Sequence, residues 1–442
     1  MENDANKKRQ KMKNSDIYTI VKNGISYLPM IGMLMLVASL PFQYGWVQRT
    51  ALYILGISYP IDYILNHRWQ GWHWTQDKWV YAVMILFFLQ TPLWQLFDLT
   101  PPTRYFCGQL EMRTAFIGVG IVGLAGWNKQ QDICHYAAYV ILLTAIGIVA
   151  YIGILEWTGT TIPNWEHRNR YLYNAISHRY VGAHMRVDFY QNMAIIFGLY
   201  LLHMTKSKWQ MWAILTGILV LVVRLLFTDG RSGMIAMLLI VGIAIVFYLC
   251  KYASKWGIIA SVLFLVLLGG TAIYQNDRMS HAVLHSEPRI AIWDYTLRQI
   301  EKHPLTGYGL STASHEFVCN AQDDESMQHY LHSVANNPLL DGQRESMAVV
   351  NPHNLYLQLM LECGFMAPLL FILIFALAVA CCDKHKRLYM ALTAFTILWQ
   401  AVFDSFSPHF PPMMVCMSLW LMMLPEIRKN EKETITTQQN KL

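Results

Sequence analysis

Residues 355–380, LYLQLMLECGFMAPLLFILIFALAVA, carry one formal charge, on Glu362. A helix crossing a bilayer must satisfy its own backbone, since hydrocarbon offers no partner to N–H or C=O, and a run of this length and polarity suits that task. With His353 and Asn354 just ahead of it, the stretch reads as one membrane helix over 353–380. Outward from it, about twelve such runs follow the chain, at 25–40, 46–65, 79–97, 113–127, 134–155, 187–204, 209–228, 231–250, 255–274, 353–380, 388–405 and 411–425. The 442 residues are 55% hydrophobic and 14% charged, with 15 Trp and 24 Tyr, which excludes an ordinary soluble globular protein. The predicted class is all-α and polytopic. A basic tail (1–24) leads into spans over 25–274 with a smaller outer loop at 156–186. A large outer loop (275–352), further spans (353–425) and a polar tail (426–442) complete the chain.

Charge sets the expected orientation. Lys7, Lys8, Lys11 and Lys13 precede the first run, which has no small-residue cleavage site and so reads as a retained helix with a cytoplasmic amino terminus. Alternation from there puts every lysine except Lys302 inside and both termini in the cytoplasm. The outer segments hold arginine instead, among them Arg179, Arg186, Arg231, Arg289 and Arg298. A guanidinium fork grips phosphate or carboxylate bidentately, whereas lysine is a point charge. Against this stands the plainer use of arginine to tie loops together or to meet lipid head groups. The 8 cysteines show no metal-type spacing, and only Cys107 and Cys319 fall in outer loops.

Three places can carry chemistry. In LVLVVRLLFTDGRSGMIAMLL (219–239) one helix ends and another begins around Asp229, Gly230, Arg231, Ser232 and Gly233. Glycines there admit a ligand close to the backbone, and the second helix offers free N–H groups to an anion beside Arg231. Arg224 lies earlier, within the apolar run. An intramembrane arginine faces a polar cavity or a partner, and snorkelling or pairing with a carboxylate such as Asp188 competes with a ligand role. In HSEPRIAIWDYTLRQIEKHPLTGYGLS (285–311), Ser286 or Glu287 can cap a helix with Pro288 at its first position. Ile290, Trp293, Leu297 and Ile300 would form its apolar stripe, and Arg289 sits in its first turn. Finally, Asn351 as N-cap and Pro352 as first helical residue would place His353 in the first turn of the next span. The positive helix end there favours a neutral imidazole, the form a general base needs, while a capping role is the simpler account of a lone histidine.

The order GRSG (230–233), PRIAIWDYTLRQIEKHPLTGYGL (288–310) and HNLYLQLMLECGFMAPLLF (353–371) resembles the bacterial O-antigen ligase family, with its related O-antigen polymerases and protein O-oligosaccharyltransferases. RYVGAHMRVDFYQNMAIIFGLYLL (179–202) is more loosely similar, so the resemblance spans about 179–425. It implies a GT-C-like membrane glycosyltransferase at the periplasmic face of the bacterial inner membrane. Its donor would be a glycan on undecaprenyl diphosphate, and its acceptor lipid A core or another hydroxyl. No cofactor, metal or nucleic acid is implied. By the same resemblance Arg231 and Arg289 hold the diphosphate and His353 is the essential histidine; beside these, Arg186 and Arg224 are candidate helpers at the diphosphate and Asn354, Ser232 and Gly233 candidate supporting residues. A polymerase reading rests on the spacing of Arg298 and Gly309, which resembles a polymerase loop motif. A transporter of lipid-linked glycan is the reading from another class; it calls for two related halves with broken helices, which the hydropathy does not show.

Overall fold

The computed structural model describes residues 22, 24–42, 45–97, 106–126, 133–162, 172–228, 230–252, 270, 289–309, 324–325, 327–328, 352–403 and 412–424. Every regular element among them is helical. The chain runs through α1 (Gly24–Ser39), α2 (Gly45–Leu65), a 3-10 turn at Arg68–Gly71, α3 (Lys78–Phe97), α4 (Phe106–Ala125) and α5 (Ile133–Trp157). After the short α6 (Leu172–Tyr180) come α7 (His184–Met204), α8 (Lys208–Leu226) and α9 (Arg231–Tyr252). Beyond them lie α10 (Arg289–Lys302), α11 (Leu355–Cys363), α12 (Met366–Cys381), α13 (Arg387–Phe403) and α14 (Pro412–Met423). The predicted apolar runs recur as single helices with two exceptions. The run 255–274 lies almost wholly outside the described residues, and 353–380 is divided.

Among the described residues three helices, at Ile133–Trp157, Lys208–Leu226 and Arg231–Tyr248, are long and apolar enough to cross a membrane; α1, α12, α13 and parts of α3, α4 and α14 are shorter apolar helices. Their surfaces are apolar on both sides. On α8, Ile214, Ile218, Leu221 and Leu225 are buried, while Leu215, Leu219, Val220 and Val223 face outward, with Leu219 59% exposed. A helix oily all round belongs in lipid or in a core, and this one has its outer face uncovered by protein.

The core is built around α7. From Arg186 to Phe197 every residue is buried, because α5, α6, α8, α9 and α13 all pack against it. Gly198 lets α7 come close to α8, and Gly217 lets α8 come close to α5: a Cβ on Gly198 would stand 2.9 Å from Ile218, and one on Gly217 2.7 Å from Ile146. Small residues at such crossings are how membrane helices gain van der Waals contact without a hydrophobic drive between them.

The expected single helix over 353–380 is corrected by the structure to two, α11 and α12, broken at Gly364 with φ 74°. The cause is the HPLTGYG turn that follows α10. The carbonyls ending a helix lack intrahelical partners, and here they are supplied from outside. The amide of Tyr308 donates to Leu361 O (2.8 Å), that of Gly309 to Glu362 O (3.0 Å), and Gln90 Nε2 of α3 to Cys363 O (3.4 Å). In return the Phe365 amide donates to Pro304 O at 3.0 Å. Apolar content cannot reveal such a break, since it depends on the backbone of the 304–309 turn, far earlier in the chain.

The apolar stripe of α10 is also corrected. Its buried side is Ile292, Tyr295, Thr296, Gln299 and Ile300, packed with Leu361 and Met327 beneath Leu357 and Met360. Ile290 and Leu297 point outward, 56% and 46% exposed. Two stripes at helical spacing coexist on this helix, and the one with aromatic Tyr295 and hydrogen-bonded Thr296 meets α11. The expected caps Ser286 and Glu287, with Pro288, lie outside the described residues.

Candidate functional site

Side chains at one end of the bundle gather the segments singled out in the sequence. The α8–α9 connection is held by α7 from below. Thr228 Oγ1 donates to Asp188 Oδ2 (2.7 Å) and accepts from the Gly230 amide (3.2 Å), while Asn192 Nδ2 donates to Gly233 O (2.9 Å). Gly230 and Gly233 are required by space: a Cβ on either would strike the Asp188 side chain. From above, the indole Nε1 of Trp399 on α13 donates to Ser232 O at 3.1 Å. Arg231 thus begins α9 on a backbone pinned on both sides, and its neighbour Asp229 lies outside the described residues.

The same stretch of α13 reaches the histidine segment. Tyr356 Oη on α11 donates to Leu398 O (2.9 Å), one residue from Trp399. His353 itself is not in the first turn of a helix, as expected, but ahead of it. Asn354 is the N-cap, its side chain accepting from the Leu357 amide at 3.1 Å, while Asn351 lies outside the described residues. This is the geometry an asparagine cap favours, and Asn354 competes successfully because its carbonyl oxygen is placed to reach an otherwise unpartnered donor. His353 has φ 48°, a left-handed backbone that a non-glycine residue adopts only where its surroundings impose it.

Arg289 opens α10, and its side chain lies outside the described residues. Its helix is tied to the histidine segment, however: Trp293, one turn on from Arg289, donates its indole N–H to Pro352 O at 3.0 Å. A continuous path of hydrogen-bonded segments therefore runs from Ser232 through α13 and Tyr356 to Pro352 and on to α10.

The two helper arginines occupy the same end. Arg186 is buried in α7 and donates from Nη1 to Phe42 O (3.0 Å), tying the α1–α2 connection to the core. The Arg224 guanidinium lies over the Tyr173 ring, 3.1 Å from its centroid, and 3.9 Å from Glu156 Oε1. The latter distance is an ion pair without a hydrogen bond. Tyr173 Oη accepts from Gln191 Nε2 at 2.8 Å. Burial pushes the Tyr173 phenol up to about 12, with Arg224 pulling the other way, so its ring stays neutral and offers Arg224 a π face. Arg298 pairs with Asp294 and Asp324, and the Gly309 amide caps α11; both members of the polymerase-like spacing thus have structural work.

Residues 216–372 match the family model described as O-antigen ligase. Over that segment the chain is similar to the O-antigen ligase family. The matched segment begins within α8, ends within α12, and contains Arg224, Arg231, Ser232, Gly233, Arg289, His353 and Asn354, with Arg186 before it. Ligases and polymerases of this family are glycosyltransferase-like enzymes, and their substrates are in general a lipid-linked glycan and an acceptor. Family and apolar helices together make this an integral membrane protein. No curated protein matches the chain.

Sequence reading did not single out Trp399, Tyr356 or Asn192. Each acts on a backbone far along the chain, 167, 42 and 41 residues away. No local spacing announces that. Trp293 was legible only as part of an apolar stripe; its position one turn after Arg289 is the signal that could have marked it.

Proposed function

We propose that the protein is an O-antigen ligase-type glycosyltransferase of the bacterial inner membrane, acting at the periplasmic face and passing a glycan from undecaprenyl diphosphate to a hydroxyl of lipid A core. The observation that carries this reading is the hydrogen-bonded path linking the start of α9, the His353 segment and α10 at one end of the bundle. The lysine-rich side of the sequence falls at the other end, where Lys386, just ahead of α13, packs with Tyr200 of α7, which agrees with an active end turned to the periplasm.

The chemistry follows from the residue types. His353 takes the proton of the acceptor hydroxyl as its oxygen bonds to the anomeric carbon. The bond from that carbon to the diphosphate oxygen breaks, and undecaprenyl diphosphate leaves with the electron pair. Negative charge grows on phosphate oxygens, where fixed guanidinium groups stabilise it more than in water. Arg231 and Arg289 take this part, with Arg186 and Arg224 adding to the positive field and Asn354, Ser232 and Gly233 holding the backbone. The reading requires no metal or cofactor. One displacement inverts the anomeric centre.

The test uses purified protein with lipid-diphosphate donor and lipid A core, following release of undecaprenyl diphosphate. His353→Ala is expected to abolish transfer in a protein that still folds and inserts; near-normal turnover would refute the base assignment. No release of undecaprenyl diphosphate, with the donor left intact, would point to a carrier instead. In a deletion strain, unattached long chains are expected for a ligase, whereas a single repeat on lipid A core would identify a polymerase.

A further inference from the structure

Among the described residues only His67 and His353 combine a side chain with a left-handed backbone. His353 is bracketed on both sides. Behind it, the Asn354 side chain fixes the helix start. Ahead of it, the Pro352 carbonyl accepts the indole N–H of Trp293 at 3.0 Å. Proline already fixes its own φ, so holding its carbonyl fixes the remaining rotation of the peptide plane that leads into His353. The Trp293 ring is half-buried against the protein, while Ile290 and Leu297 of the same helix face outward. Its indole is therefore turned toward the histidine segment and away from the exposed face of α10. Strained residues persist only where their surroundings over-determine them, and they concentrate where a side chain must be aimed.

We infer that Trp293 is a positioning residue: its hydrogen bond to Pro352 O holds the backbone that aims the His353 imidazole, and holds the helix bearing Arg289 against that same backbone. This rests on the reading of His353 as the general base. Trp293 touches no reacting atom. It acts by setting the distance between a base on one segment and a cation on another, a separation that neither segment controls alone.

Trp293→Phe keeps an aromatic ring and removes the donor. With undecaprenyl diphosphate-linked glycan and lipid A core, kcat should fall about 10- to 100-fold, the scale of a misplacement near 1 Å. The donor KM should change by less than about threefold, since ground-state binding is left in place. Leu297→Ala, on the exposed side of the same helix, should retain kcat. Where the phenylalanine variant fails to insert, 3-benzothienylalanine placed at 293 keeps the indole outline, lacks the N–H, and should show the same loss. A wild-type kcat in a donor-less variant, or a rise in KM with kcat intact, overturns the inference. His353→Ala, assayed in parallel, separates the two claims. If it is inactive while Trp293→Phe is normal, the positioning role fails and the base assignment stands; if it turns over normally, the base assignment itself has failed.

Discussion

At the scale of single residues, the turn entering α9 shows how a buried carboxylate can shape a cationic site. Asp188 holds Thr228 and fills the space beside Gly230 and Gly233. A burial this complete is tolerated because the carboxylate is hydrogen-bonded. Gly230→Ala drives a methyl group into that carboxylate, and the overpacking should cost about 1–3 kcal/mol, read as a lower thermal midpoint in detergent. Because Arg231 is the next residue, transfer should fall as well, measured per folded molecule. Arg231→Lys is the complementary change: it preserves charge and removes the fork. Its transfer rate should drop at least tenfold, a loss of 1.4 kcal/mol or more in the assay used above, because a point charge cannot make parallel bonds to phosphate oxygens.

At the scale of elements, the break between α11 and α12 is the feature that brings the histidine segment, α10 and α3 into one unit. Three backbone hydrogen bonds, two in one direction and one in return, join the 304–309 turn to the helix break, and Glu362, 1% exposed, lies within this junction. Gly364 has two reasons to be glycine. Its φ of 74° disfavours a side chain, and a Cβ would meet the Leu305 carbonyl. Gly364→Ala should therefore destabilise by about 2–4 kcal/mol, from left-handed strain and overpacking together. Leu305→Ala, at an exposed position of the same turn, should lie within about 0.5 kcal/mol of the wild type. Thermal melts of both variants in the same detergent check the pair.

For the molecule as a whole, the two ends of the bundle do different work. One end collects Arg186, Arg224, the α9 start and the histidine segment. At the other, Lys386 is buried, its Nζ donating to Leu424 O at 2.9 Å near the Tyr200 ring, while Tyr248 and Tyr389 hydroxyls meet at 3.4 Å. Lys386 completes the last turn of α14, where a cation also suits the negative helix end. Lys386→Met should cost about 1–3 kcal/mol by leaving that carbonyl unpaired. Turnover per folded molecule should not change, since the substitution is a full helix length from the proposed site. A loss of kcat in fully folded Lys386→Met protein would show that the two ends are coupled.

Sequence by itself determined the helical membrane class, the place of nearly every apolar helix, and the three segments worth watching, because hydropathy and motif order are local properties that a bilayer and a short turn read directly. It also placed Arg231 at a helix start and Arg289 one turn before Trp293. What it could not decide was the division of 353–380, the burial face of α10 and the left-handed backbone of His353. Each of those depends on partners from distant segments: the 304–309 turn supplying the carbonyls of α11, Leu361 choosing between two stripes of α10, and Trp293 holding Pro352. Tertiary structure settled them because an unpaired carbonyl or an indole N–H is satisfied by whatever the fold brings near, and nearness in space is not written as nearness in the chain.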